Sequence, residues 1–573
     1  MWEDIKVFKQ LWDSASWKAK VFWGLVVALT VLRIALFLSI PIEALGNAIH
    51  DDRLQMNQAC YLFQGNWLGA YSNTTLVKGI SFPLFLAVCK WLCLPYGLGL
   101  SLFYILSIIL FLVAIRQFIK NHYIVGIVYL FLLYSPAMLS SSTQQRAYNI
   151  SLIPSAVLLV TGSCMALFLR REQGWKKLLP WSVLTGLSLV FFWYIRQDSM
   201  WLLPFVLGAI GISVICILLK KAGKGWKVST CVVLLLPLAV FEGISLEISA
   251  VNYHYYGVFT TNERTDSSCA DVMADLIQMD MPKVREDVWV SHDTVEHAME
   301  LSPTFGKIKA SVDKIYDSAW APDGEIIGDL VVWALRDAVA DAGYYTDGKT
   351  AEDFYRQVHL ELEEAYKSGA CTKKKGIFLS SLSDQFLFEE DFVPLLKTSL
   401  TAWRRLLFIE ETNVGTYEGT GTAEDIRFFE ANVGSPVIYP EGTGFDSDPV
   451  REAGQRPIKV GNLLIKTYRL LTYLLVPLSV ICYIWMTVSM VGEMKKKKYD
   501  IWYRWLMVTG LGGVSAVLIV EVSWFTSFIS TAQHSIYHYC TGAHTLFQLI
   551  QLLTILWGVE RLKERGQRQQ NAD

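Results

Sequence analysis

The stretch AYNISLIPSAVLLVTGSCMALFLRREQGWKKLLPWSVLTGLSLVFFWYIRQDSMWLLPFVLGAIGISVICILLKK (147–221) holds three runs without one Asp, Glu, Lys or Arg, at 147–169, 178–195 and 199–219. RREQGWKK and RQD separate them. About 20 such residues carry a helix across a bilayer. Lipid offers a bare backbone no hydrogen-bond partner, so helix is the form these runs must take. Two more charge-free runs occupy 97–115 and 470–492. Working outward, the sequence predicts helices near 21–41, 97–115, 123–142, 147–169, 178–195, 199–219, 228–249, 470–492, 505–528 and 536–559. The fold class is therefore an α-helical polytopic membrane protein with about ten spans.

Composition agrees. Of 573 residues, 53% are apolar and 18% charged, where a soluble chain carries about 25% charged. A net charge of −2 singles out no partner, and no basic excess calls for nucleic acid. The ten cysteines form no CxxC pair, so neither a disulfide framework nor a zinc site is indicated. Cys269 and Cys371 are a pair available for bonding if their segment faces an oxidising space. Val21–Pro41 carries Arg33 at its centre and no small-residue cleavage site, which predicts a retained first helix.

Orientation follows from the basic residues. Lys6, Lys9, Lys18 and Lys20 precede the first helix. Arg116 and Lys120 follow the second. Arg170, Arg171, Lys176 and Lys177 join the fourth to the fifth, and Lys220, Lys221, Lys224 and Lys227 the sixth to the seventh. Lys495 to Lys498 follow the eighth, and Arg561, Lys563, Arg565 and Arg568 the tenth. Every second connection is basic only if 81–94, short and interrupted by Lys90, does not cross. That segment reads as interfacial or re-entrant, and both termini as cytoplasmic. The connections 42–96, 143–146, 196–198, 250–463 and 529–535 then face outward, as expected for a plasma-membrane protein.

Three parts follow: a membrane module over 1–250, an extracytoplasmic domain over 251–463 and a C-terminal membrane part over 464–573. The inserted domain reads as mainly helical; Phe354, Val358, Leu362 and Ala365 recur at helical spacing before Gly369. Between 410 and 455, Gly, Thr and acidic residues predict irregular structure.

The first outward loop reads HDDRLQMNQACYLFQGNWLGAYSNTTLVKGISFPLFLAV (50–88). Asp51 and Asp52 suit a general base or a divalent cation, because adjacent acids raise one another's pKa. A plain helix cap is the competing reading. Lys78, Arg146, Arg196 and Asp198 return to the same side from separate parts of the chain. Such cations can neutralise the phosphate of a lipid, or merely snorkel to the interface. Glu242, Glu247 and Glu521 fall in the outward halves of their helices, where a polar cavity or helix–helix hydrogen bonds would account for them. His534 and His538 have i, i+4 spacing but no evident third ligand; His544 follows one turn on. NYHYYG (252–257) reads as an interfacial aromatic belt.

The loop resembles the first outer loop of the GT-C superfamily of membrane glycosyltransferases, of the protein-mannosyltransferase and aminoarabinose-transferase kind. The matching pieces are Asp51-Asp52, CYLFQGNW with Gly65, and KGISFPLFLAV with Lys78 and Pro83; Arg33 in the first helix is similar too. The resemblance runs from about residue 21 to 250. It implies a GT-C-like fold, a polyprenyl-phosphate-linked sugar as donor, and inverting transfer to a glycan, lipid or protein acceptor. It also implies Asp51 or Asp52 as base, Lys78, Arg146 and Arg196 around the donor phosphate, and Arg33 and Asp198 in support. Three departures stand out: the second acid is Asp rather than Glu, Gln197 intervenes before Asp198, and no WWD motif for transfer to Asn is present. A transporter of a lipid-linked substrate would need paired broken helices, which the Gly and Pro positions do not supply. A non-catalytic GT-C-like assembly partner is the reading that Gln197 keeps open.

The topology is directly testable. In a cysteine-free background on intact cells, Thr350→Cys should react with an impermeant thiol reagent and Lys497→Cys should not; reversed labelling overturns the orientation.

Overall fold

A computed structural model describes residues 16–119, 121–196, 198–378, 385–495, 500–526 and 532–570. Lys6, Lys9, Lys120, Gln197 and Lys496 to Lys498 lie outside them, as does the side chain of His534.

Eight described helices are long and apolar enough to cross a bilayer. They contain α1 (Trp17–Leu38), α4 (Tyr96–Ala114), α6 (Ile153–Arg170), α8 (Leu203–Leu219), α9 (Lys224–Tyr256), α17 (Asp448–Met494), α18 (Asp500–Thr526) and α20 (Thr541–Gln570). A further apolar pair is bent: α5 (His122–Leu133) is followed by Pro136–Gln145 after a 47° turn, and the count is nine if the two make one span. The single helix expected near 123–142 is thus corrected to two pieces. Pro136 supplies no N–H and pushes the preceding residue out of helical geometry, and Ser135 caps the new turn by accepting from the Ala137 amide. Arg33, buried in α1, donates to the Met138 carbonyl at 2.6 Å just beyond the break. A carbonyl freed at membrane depth must find such a donor. The remaining helix of spanning length is α7 (Trp175–Trp193), whose first turn is diluted by Lys176 and Lys177. It packs along α6 and α9. The protein is therefore a polytopic α-helical membrane protein.

α6 is the axis of the bundle. Its span is 94% buried, because Ser155, Ala156, Gly162, Ser163 and Ala166 let neighbours approach closely. A Cβ on Gly162 would lie 3.1 Å from the Cα of Phe111 on α4. In the first loop, α2 (Asp52–Gln64) packs on α3 (Ser81–Trp91). The 11 residues of α3 make a helix of about 16 Å, too short for a core of about 30 Å.

The large inserted segment builds its own core from α10 (Ser268–Gln278), α11 (His292–Leu301), α12 (Lys309–Tyr316), α13 (Leu330–Asp341) and α14 (Gly348–Ser368). Cys269 and Cys371 are both buried and both free. α15 (Phe388–Leu407) leaves that core for the membrane helices. The irregular stretch that follows is interrupted by α16 (Ala423–Val433), a correction to the structureless reading of 410–455. A capping box of Thr422 and Asp425 starts α16. The expected domain edges fall within helices: α9 runs on to Gly257, left-handed at φ 79°, and α17 begins at Asp448. A two-stranded hairpin pairs Ile377 with Phe386.

Arg336 on α13 fastens this segment to the first loop. It is fully buried, donates to the Asn73 carbonyl from Nε at 2.8 Å and Nη2 at 2.6 Å, and pairs with Glu263 at 2.5 Å. Tyr71 donates to the same Glu263 at 2.6 Å. Removing one member of a buried pair leaves an uncompensated charge, so Arg336→Met should cost about 3–5 kcal/mol. Thermal unfolding in nanodiscs reads this; an unchanged midpoint would contradict the assignment.

Candidate functional site

Asp51 occupies the N-cap position of α2, yet its side chain caps nothing. It accepts from Lys78 Nζ at 2.5 Å and from the Tyr148 hydroxyl at 2.9 Å, both on Oδ1. The helix-cap reading of this acid is therefore displaced. Asp52, the first residue of α2, has a side chain with no exposed surface, whereas that of Asp51 is 43% exposed. Asp52 takes Arg146 in two bonds, from Nε at 2.8 Å and from Nη2. The neighbouring acids thus turn to different cations and do not converge as a chelating pair, so the divalent-cation alternative does not fit. Among the described residues no group of three His, Cys, Asp or Glu side chains is placed to hold a metal.

Lys78 reaches its partner because Gly79 follows it. The Tyr194 carbonyl oxygen at the end of α7 would lie 2.0 Å from a Cβ at 79, and that carbonyl accepts from the Ser81 amide at 3.0 Å. The same α7 end delivers Arg196, whose Nε and Nη2 hold the two oxygens of Asp198 at 2.7 Å each. The break after α5 delivers Arg146, held in register where Glu43 N–H donates to the Gln145 carbonyl at 2.8 Å.

Aromatic rings join the three pairs. Tyr148 has Arg146 4.2 Å above its ring, and Lys78 donates to its hydroxyl at 3.3 Å. Arg196 stacks 4.4 Å from Tyr539, at the end of α19 (Ala532–Tyr539). His538 lies over Tyr148, its ring tilted by 21° at 6.4 Å, and Nδ1–H donates to the Ser142 carbonyl at 2.7 Å. Burial, with Arg146 and Arg196 nearby, pushes His538 down to about 3, so the imidazole is neutral and Nε2 carries a lone pair. Above Lys78 sits Trp333 of α13, at 5.2 Å, covered in turn by Arg264 at 4.7 Å. Arg264 pairs with Asp329 at 3.2 Å.

Burial would push Asp51 up. Lys78 and the Tyr148 hydroxyl outweigh it and hold the carboxyl well below the usual carboxylate range. Asp51 is thus ionised at neutral pH, and among the described residues nothing hydrogen-bonds to Oδ2. The cations also keep donors in reserve: an ammonium has three N–H and a guanidinium five, of which Lys78, Arg146 and Arg196 commit two each.

Asp51, Asp52, Lys78 and Arg146 meet in one cluster, with Arg196 and Asp198 beside it. Glu521 comes within electrostatic reach of Arg196 and Asp198. Arg33 does not join; it serves the break after α5. Glu242 and Glu247 lie exposed on α9. Tyr148, Trp333 and Tyr539 carry no sequence signal beyond being aromatic, and His538 is legible only as half of a histidine pair.

No protein-family model and no curated protein matches the chain. Among solved structures, the crystal structure of ArnT from Cupriavidus metallidurans in the apo state overlaps it with a TM-score of 0.30 and 12% identity. The overlap covers 92% of this chain and 78% of that one. So loose an overlap carries no conclusion about individual residues.

Gly79→Ala is the sharpest test of the geometry, since its new methyl meets backbone rather than a movable side chain. It should cost about 1–3 kcal/mol, as overpacking does, and pull Lys78 from Asp51. A variant with parental melting would contradict the close approach.

Proposed function

We propose that the chain is a GT-C-like membrane glycosyltransferase, moving a sugar from a polyprenyl-phosphate donor to an acceptor hydroxyl on the extracytoplasmic face. The observation that carries this reading is the meeting of Lys78, Arg146 and Arg196 at one end of the bundle. Each is pinned by its own carboxylate and each retains free N–H donors. A phosphate at the lipid boundary would engage those donors, and charge-assisted hydrogen bonds of this kind are the strong ones.

Asp51 is the base in this reading and Asp52 is not. Only Asp51 has an exposed oxygen; Asp52 is sealed and orients the Arg146 guanidinium. The acceptor O–H gives its proton to Asp51 while its oxygen bonds to the anomeric carbon. The bond from that carbon to the phosphate oxygen breaks, leaving the lipid phosphate with the electron pair. Fixed cations already facing the leaving group stabilise the charge where it develops. Lys78 also couples binding to chemistry. A donor phosphate that draws Lys78 toward itself weakens its hold on Asp51 and raises the basicity of that carboxylate. The base is thereby strengthened when donor is present.

Two series test this. Asp51→Asn should lower transfer by about 10²–10⁴-fold, the usual worth of a general base, with donor binding retained. Lys78→Gln, Arg146→Gln and Arg196→Gln should each weaken binding of a polyprenyl-phosphate sugar by at least about tenfold, from the roughly 1.5–3 kcal/mol of a charged hydrogen bond. Full transfer by Asp51→Asn, or parental donor binding by all three Gln variants, would end the proposal.

A further inference from the structure

α15 has three faces where an ordinary amphipathic helix has two. At about 100° per residue, Leu395, Ser399, Ala402 and Leu406 share one face, and all are buried. That face packs on α18 and α20, and beside it Trp403 meets Phe547 of α20 at 5.1 Å with the rings tilted by 51°. Glu390, Lys397 and Arg404 mark a second, charged face. Between them runs an apolar flank that stands largely open: Phe392 is 41% exposed, Val393 67%, Leu396 46% and Leu400 61%. In water, a contiguous apolar stripe of this kind on a helix already docked by another face is costly.

Both ends of α15 lie at the same level of the bundle. Phe386, just before it, packs on Trp524 in the last turn of α18 at 5.3 Å. Just after it, the carbonyls of Ile409 and Glu410 accept from Arg469 at 3.0 and 3.2 Å. Arg469 stands immediately before the apolar run of α17, where Leu470 is 63% and Leu474 66% exposed. The helix therefore runs from the rim of one span to the rim of another, along the boundary plane. Phe408, the residue after α15, stacks on Tyr473 of α17 at 5.2 Å, so the helix ends against the exposed surface that begins at Leu470.

We infer that α15 is an in-plane membrane helix, whose apolar flank takes the headgroup–acyl boundary of phospholipid in the leaflet at the site's end. Helices with one apolar and one charged face bind in this manner, sinking the apolar side about 5–10 Å. Glu389, Glu390 and Asp391 at its N-terminus and Arg404 and Arg405 in its last turn suit the helix dipole and lie at headgroup level. Arg405 donates to Tyr537 at 2.9 Å, one residue from His538. The lipid-bound arm thus ends against the helix that lines the site, and the inserted segment is seated in the bilayer as well as above it.

The test uses the full chain in nanodiscs containing a phosphatidylcholine with a diazirine high in its acyl chain. After illumination, peptides are mapped for lipid adducts. Phe392, Leu396 and Leu400 should label like Leu470–Leu474, while residues 350–366 of α14 stay clean; the double variant Leu396→Glu/Leu400→Glu should lose the α15 adducts. Two results overturn the inference: α15 unlabelled while α17 labels, or cross-links between the α15 helices of two copies in place of lipid adducts. Neither readout depends on transferase activity, so this inference and the glycosyltransferase reading fail separately.

Discussion

A charge placed at the rim of a bilayer has little water to lean on, and most of this site follows from that. Lys78, Arg146, Arg196 and Arg264 each have a carboxylate within contact, from Asp51, Asp52, Asp198 and Asp329. Buried ion pairs add little net stability, because desolvation offsets the attraction, but removing one partner is severe. The pairs therefore act less as glue than as fixtures that hold each cation in one geometry. Asp52 illustrates this, since a sealed carboxylate spending both oxygens on one guanidinium orients Arg146 and has nothing left for substrate.

The fixtures come from elements that must be held in common register. α7 contributes Tyr194, which ties down Ser81, and two residues later Arg196. The break after α5 contributes Arg146 and Tyr148. α13 contributes Trp333 above Lys78 and, one turn along, Arg336 on the backbone of Asn73. Loosening the inserted segment would therefore slacken the loop that carries Lys78. The packing of that segment and the placement of charge in the site are thus mechanically one problem.

Much of the bundle is legible in sequence because lipid reduces the question to counting charge-free residues. The break after α5 is harder: Pro136 sits in an apolar run, and only a donor from another helix, Arg33, reveals that a carbonyl was freed. In the site, Asp51, Lys78, Arg146 and Arg196 stand out as charges beside apolar runs. Their pairing does not, since Asp51 meets Lys78 and Asp52 meets Arg146 across 27 and 94 residues of chain. Tyr148 and Trp333 are missed for the same reason. An aromatic near lipid is ordinary, and only the cations on their rings set them apart.

His538 carries the argument one step further. Its Nδ1–H is committed to the Ser142 carbonyl, which selects the tautomer and leaves Nε2 as an acceptor. Two arginines nearby oppose its protonation. Surrounded by cations that donate and acids that are already paired, it is a neutral acceptor with an uncommitted lone pair. A phosphate offers it nothing, whereas a hydroxyl does. The cluster therefore combines donors in reserve for an anion with an acceptor in reserve for an O–H group, and a sugar phosphate carries both.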